Sequence, residues 1–434
     1  MKRRHRWIIL LFPASVFFMM FDFLSVHPDV SVSIYRTAQI VILCMLVIFL
    51  INRNPKFSLN NPTFLLLIGF LFIILASSPF SVNVNNSLFE AFRLAQFIAL
   101  AFVMSLFLKN VWKEEYWIYL STTMLWSGVI AGLSIITDHL AITNFSSLYI
   151  DRAWLAEIRQ FGILGEANFA AGKLGIFLPF VFLLWRYYNH RGKLIKASLA
   201  LIALFIILIA MFLTGSRMGG VIAGLSTLVF LFRETRQFLR PRAVFGAASV
   251  VLIISLLVLM SGYHIIDSPR VSALMMRYTQ LPIHIVAIGG GATEASIAER
   301  IDIFFIGLKM FADHAVTGVG LGNYPYAIGE YGPWGYKYAH NTFVSILAET
   351  GFIGFIFFLG LFVRIGRNIY HYYQRSSYSD FYFYLGMSFI NLMIMLFFLS
   401  DFGNKYFWGF FVVLSIYFDY AKRSRVAIGG RVLS

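Results

Sequence analysis

The chain has 434 residues, 59% of them hydrophobic and only 13% charged, with a mean hydropathy of +0.77. Soluble domains carry about 25% charged residues, so a water-soluble protein is excluded. The net charge of +15 does not point to nucleic acid, because the basic residues fall in short loops between apolar runs.

A helix that crosses a membrane needs about 20 apolar residues. In chain order, the apolar runs predict spans at 7–24, 34–51, 63–77, 88–108, 117–137, 163–185, 197–213, 217–232, 243–262, 342–363, 381–400 and 407–420. The first follows MKRRHR and resembles a signal peptide. It lacks a convincing small-x-small cleavage site and more spans follow, so it reads as a retained helix with a cytoplasmic tail. Cys44, the single cysteine, lies in an apolar run, which leaves no intrachain disulfide and no cysteine-based metal site.

Lys and Arg gather at 2–6, 53–56, 109–113, 186–196, 233–242, 364–375 and 422–431, on one side of this arrangement. The positive-inside bias makes that side, and both termini, cytoplasmic. The outer side holds two longer loops, 138–162 and 263–341, the second much the longest in the chain. Within it, "ERIDIFFIGLKMFADH" (299–314) has apolar residues on more than one helical face. It predicts a helix that rests on the membrane interface or packs on the bundle. "TGVGLGNYPYAIGEYGPWGYKY" (317–338) is rich in Gly and Tyr and predicts tight turns. The expected fold is an all-α integral membrane protein of about 12 transmembrane helices, one polytopic domain over 1–434. Both termini are cytoplasmic, and the 263–341 loop carries short interfacial helices between spans nine and ten.

Three sets of residues could carry chemistry. His340-Asn341 sits on the outer side at the N-terminus of the tenth span, where backbone N–H groups and the helix dipole favour anions. A histidine there suits general-base work. Equally, Asn341 could cap the helix and His340 sit among headgroups. In "LTGSRMGG" (213–220), Arg217 opens the eighth span after almost no loop, with Ser216, Gly219 and Gly220 beside it. Its guanidinium could take phosphate oxygens through two parallel hydrogen bonds, or snorkel to headgroups. An outer arginine runs against the charge bias, which favours the first reading. The third set is Arg159, ahead of Glu166, Asn168 and Lys173, together with Arg300, Arg270 and Arg277 of the long loop. Arg93 in the fourth span has Glu90 one turn earlier, a pair that could neutralise itself. No outward Asp-x-Asp or paired-carboxylate motif supports a divalent-metal glycosyltransferase site, and there is no Walker A motif for an ATP-driven pump.

These features resemble the O-antigen ligase and polymerase superfamily of bacterial envelope glycosyltransferases. The resemblance rests on about a dozen spans, the long outer loop before the last three, Arg217, "GVGLGNYP" (318–325) and the spacing of "HNTFVSILAETGFIG". That segment fits His-[Asn/Ser/Gln]-x9-Gly-x-x-[Gly/Thr/Tyr], with His340, Asn341, Gly351 and Gly354 in place. Arg-x10-Gly and Arg-x15-Gly spacings, associated with some polymerases, are not evident around Arg159, Arg270, Arg277 or Arg300, which favours a ligase. The resemblance implies a donor glycan on undecaprenyl pyrophosphate and an acceptor that is lipid A–core or another lipid-linked glycan. It implies inverting transfer without a metal or other cofactor, at the periplasmic face of the inner membrane. His340 would take the acceptor's proton. Arg217 would hold the pyrophosphate with Arg300, or failing that Arg277 or Arg270, and Arg159 and Asn341 would assist substrate binding. A polymerase is the alternative within the superfamily. A secondary transporter is the alternative outside it, disfavoured by the lack of an internal repeat and the outer-edge position of the polar motifs.

Overall fold

The computed structural model describes residues 10–18, 25–27, 30–33, 44–47, 51, 60–112, 116–145, 161–237, 292–400 and 405–427; the side chains of 25–33, 235–237, 292–298, 405–407 and 423–427 are not described. Apart from one short antiparallel pair, β1 (Ser25–His27) with β2 (Val30–Ser33), these residues form helices. They are α1 (Leu11–Phe18), α2 (Pro62–Ser77), α3 (Val84–Val111), α4 (Tyr116–His139), α5 (Ala167–His190), α6 (Leu194–Leu213), α7 (Arg217–Gln237), α8 (Ala292–Asp313), α9 (Tyr324–Ala327), α10 (Thr342–Arg375), α11 (Ser379–Phe398) and α12 (Lys405–Ala427).

Among the described residues, seven helical segments are long and apolar enough to cross a membrane: Pro62–Phe80, α3, α4, α5, α6, α10 and α11. All seven coincide with predicted spans. Predicted spans 217–232 and 407–420 are helical as α7 and α12 but are not among the seven. Span 243–262 lies outside the described residues, as does most of 34–51. Exposed side chains identify the solvent. On α2, Leu65, Ile68, Phe72 and Leu75 are 41–68% exposed and recur at helical spacing. On α10, Phe352, Ile353, Ile356, Leu359 and Val363 do the same. Stripes of this kind are penalised in water and expected in lipid. The chain is a multi-pass helical membrane protein.

Two compact units are present, one of residues 1–124 and 290–434, the other of 125–289. In the first, α10 is the central helix and packs against α2, α8, α11 and α12. Helix starts follow local rules. Asn61 caps α2 by accepting from Phe64 N at 3.1 Å, with Pro62 at the first helical position. Asn83 caps α3 in the same way through Asn86 N, also at 3.1 Å. The predicted loop helix 299–314 is α8, and it is packed rather than merely interfacial. Ile303, Ile306 and Met310 share a core with Val319, Tyr324, Ile328 and Ala348, while Ile301 and Phe305 on its other side are exposed.

In the second unit α5 is central, packed on α6 and α7. It is buried along almost its whole length, Pro179 included. Arg186 of α5 pairs with Glu234 of α7.

Candidate functional site

The His340-Asn341 segment belongs to the first unit. Asn341 is the N-cap of α10: its side chain accepts from Val344 N at 3.0 Å. The capping reading of this residue is therefore realised. Next to it, the Thr342 hydroxyl donates to Leu399 O at 2.6 Å. His340 is half-buried and stands at φ +51, in the left-handed region. Among non-glycine residues His is one of the few enriched there. Such a backbone costs on the order of 1–3 kcal/mol and persists where its surroundings fix it. Here they do. Ala339 is buried in the α8 core and Asn341 is locked into the cap. The strap before them is tied to α8 by Trp334 Nε1 to Asp302 at 2.5 Å and by Lys337 to Glu299 at 2.6 Å. Arg300 lies between those two acidic anchors on α8 and is exposed. The structure thus brings the helix that carries Arg300 to the strap leading into His340.

The spacing to Gly351 has a structural cause. At Gly351, φ is +66 and ψ −173, which breaks α10 after Thr350. A Cβ there would stand 2.5 Å from Val316 O, so both conformation and space require glycine. The break redirects hydrogen bonds that a continuous helix would keep to itself. Phe352 N donates to Ala315 O at 2.8 Å instead of to Ala348. The carbonyls of Ala348 and Glu349 accept instead from Val319 N at 3.0 Å and Gly320 N at 2.9 Å. Gly354 is explained by the same break, since a Cβ there would lie 2.5 Å from the Thr350 side chain.

The segment GVGLGN (318–323) is therefore threaded between the broken helix and the start of α3. On the α3 side, Val82 N donates to Val319 O at 3.0 Å and Asn86 Nδ2 to Gly322 O at 2.9 Å. Asn323 Nδ2 donates to Asn83 O at 3.0 Å and to the Ser87 hydroxyl at 3.1 Å. Gly320, at φ +98, would place a Cβ 2.2 Å from Ser81.

Glu349 holds the other side. Its buried carboxyl accepts from Gly322 N at 2.9 Å, Tyr324 N at 3.2 Å and the Ser345 hydroxyl at 3.3 Å. Tyr324 in turn donates its phenol to Ile303 O at 2.6 Å. Burial, and then nearby Glu349, hold that phenol well above its ordinary range. The residue that organises the site was thus absent from the sequence-based set. Its one signal in the sequence is a carboxyl inside an apolar run, which is costly unless it has partners.

Arg217 belongs to the second unit, where it is the first residue of α7. The Ser216 hydroxyl accepts from Gly219 N at 3.4 Å and donates to Asn168 Oδ1 at 3.0 Å. Asn168 Nδ2 donates to Glu166 at 3.1 Å. The starts of α5 and α7 therefore meet, with fully buried Lys173 further along α5. Arg217 is half-buried, and its Nε has no hydrogen-bond partner among the described residues. Arg93 and Glu90 form an ion pair at 2.5 Å, as their spacing allows. Arg159, Arg270 and Arg277 lie outside the described residues, and no cluster of potential metal ligands occurs among those described.

No curated protein matches the chain. Residues 202–359, a stretch that includes Arg217, GVGLGN and the broken helix start, match the family model Wzy_C, O-antigen ligase, and this match supports the chain's place in the O-antigen ligase superfamily.

Proposed function

We propose that this protein is a membrane glycosyltransferase that moves a glycan from undecaprenyl pyrophosphate to an acceptor hydroxyl on the periplasmic side, the reaction being O-antigen ligation to lipid A–core. The observation that carries the reading is the build of His340. It is a half-buried imidazole on a left-handed backbone, fixed on one side by a core alanine and on the other by a capped half-helix. That half-helix ends at Gly351, whose spacing from His340 resembles the pattern of O-antigen ligases.

In the proposed reaction the acceptor oxygen attacks the anomeric carbon of the donor's first sugar. The acceptor proton passes to His340. The bond from that carbon to the pyrophosphate oxygen breaks, and its electron pair leaves with undecaprenyl pyrophosphate. Attack opposite the leaving group inverts the configuration. Arg217 and Arg300 are assigned to the pyrophosphate, where guanidinium groups stabilise the charge that develops without a metal. The Nε of Arg217, at a helix start and without a hydrogen-bond partner among the described residues, supports its share of this role. The distribution of Lys and Arg supports a twelve-span arrangement in the inner membrane with both termini cytoplasmic.

The test is transfer by the purified protein from a lipid-linked glycan, offered lipid A–core or a second lipid-linked glycan as acceptor. Glycan on lipid A–core is expected. Elongated lipid-linked chains alone would make the protein a polymerase. His340→Ala should stay folded and inserted while turnover drops about 10²–10⁴-fold, the usual contribution of a general base. Near-normal turnover would reduce His340 to a helix-end residue.

A further inference from the structure

The strap that leads into His340 carries a cluster of aromatic rings that the proposed chemistry does not use. Tyr336 stands edge-on to two neighbours, with ring centroids 5.2 Å from Tyr326 and 5.8 Å from Tyr338. The hydroxyls of Tyr336 and Tyr338 are 3.5 Å apart. All three side chains are about half exposed, at 47%, 59% and 52% for Tyr326, Tyr336 and Tyr338. The rings are nonetheless held in place. Tyr326 projects from α9, whose Tyr324, Pro325 and Ala327 are buried. Tyr336 and Tyr338 flank Lys337, which is bound to Glu299. Neighbouring Tyr336 holds the Tyr326 phenol above its ordinary range, and the hydrogen bond with Tyr338 does the same for Tyr336.

A fixed group of ring faces, each with a hydroxyl at its edge, suits one class of ligand. A pyranose has an apolar C–H face that rests on the electron-rich face of an aromatic ring, and a rim of hydroxyls that need hydrogen-bond partners. Exposed Asp302 on α8 and exposed Glu330 in the turn that follows α9 add acceptors. Tyr338 lies two residues before His340, on the segment whose histidine would receive the acceptor's proton.

We infer that Tyr326, Tyr336 and Tyr338 form a stacking platform for pyranose residues of the acceptor glycan, which positions its hydroxyl for His340. The inference rests on the glycan-transfer reading above. Its test uses the full chain in nanodiscs of zwitterionic lipid, with lipid-free core oligosaccharide, released from lipid A by mild acid, as the probe. Saturation-transfer NMR should show contact with sugar C–H protons. Tyr336→Phe, which keeps the ring, should bind within about twofold of the native protein, and Tyr336→Leu about tenfold more weakly. Equal binding by the Leu variant would overturn the platform, because leucine keeps apolar area without a ring. So would an absence of oligosaccharide binding, or quenching of these rings by brominated acyl chains, which would make them a membrane anchor. The two readings fail separately. Oligosaccharide binding without transfer to any acceptor sinks the reaction and leaves the platform. Transfer with an unchanged acceptor KM in Tyr336→Leu sinks the platform and leaves the reaction.

Discussion

Helix α10 carries a buried polar cluster in each of its two halves, and they are built on opposite plans. In the first half the carboxyl of Glu349 is met by two backbone amides and a hydroxyl, none of them cationic. In the second half, Arg364 and Asn368 face Asp419 of α12. Asp419 accepts from Arg364 at 2.5 Å, Asn368 at 3.0 Å, the Thr63 hydroxyl at 2.6 Å and Thr63 N at 3.1 Å. Lys422 completes the network by donating to Asn368 Oδ1 at 3.0 Å. Both carboxyls tie segments together, Asp419 joining α12 to α10 and α2, and Glu349 joining α10 to residues 322–324. Only the distal one uses cations to do so. Under the proposed function, a site that receives an anionic pyrophosphate gains from a scaffold that does not occupy arginines. The distal network has no such demand, and it takes the strongest partners available.

This contrast can be broken at either end. The largest effect on stability is expected from Asp419→Ala, which removes the carboxylate that pairs with part-buried Arg364 and accepts both donors of buried Thr63. A loss of about 3–5 kcal/mol is expected, as for other buried pairs deprived of one partner. It should appear as a lower unfolding temperature in detergent, with the turnover of the remaining folded protein little changed. Glu349→Gln keeps one accepting oxygen and should cost less, about 1–3 kcal/mol. Its mark should be functional, because the Gly-rich segment and the helix that begins at His340 lose their common clamp. Transfer per folded molecule should fall at least about tenfold, and loss of stability with unchanged turnover would reduce Glu349 to a packing residue. Asn341→Ala removes only the cap and should cost about 1 kcal/mol, and Asn341→Ser should recover most of it in the same unfolding measurement.

Hydrophobic length made much of the helical fold legible. Seven predicted spans appear as helices of sufficient length, and Arg217 does open its helix. Asn341 could be read as a cap because capping is local: a short polar side chain precedes an apolar run. Glu349 and Asp419 were not read, because their partners lie far along the chain. The donors to Glu349 include amides 25 and 27 residues upstream, and Thr63 is 356 residues from Asp419. Sequence periodicity carries no information about such distances. A signal was nevertheless present, since both are carboxyls within predicted apolar spans. The extension of α10 to Arg375, beyond the predicted end at 363, has the same origin. Arg364 and Asn368 look like a polar stop until Asp419 is placed opposite them.

The break at Gly351 turns the interval between His340 and that glycine into an angular setting. Residues 342–350 form a rigid half-helix whose far end is locked to GVGLGN. Each residue of an α-helix advances about 100° around its axis. Adding or removing one residue there would therefore swing the imidazole about 100° around the axis of that half-helix, with the clamp at Glu349 intact. What the nine-residue interval encodes is thus a bearing, and the number of residues is only the means of setting it.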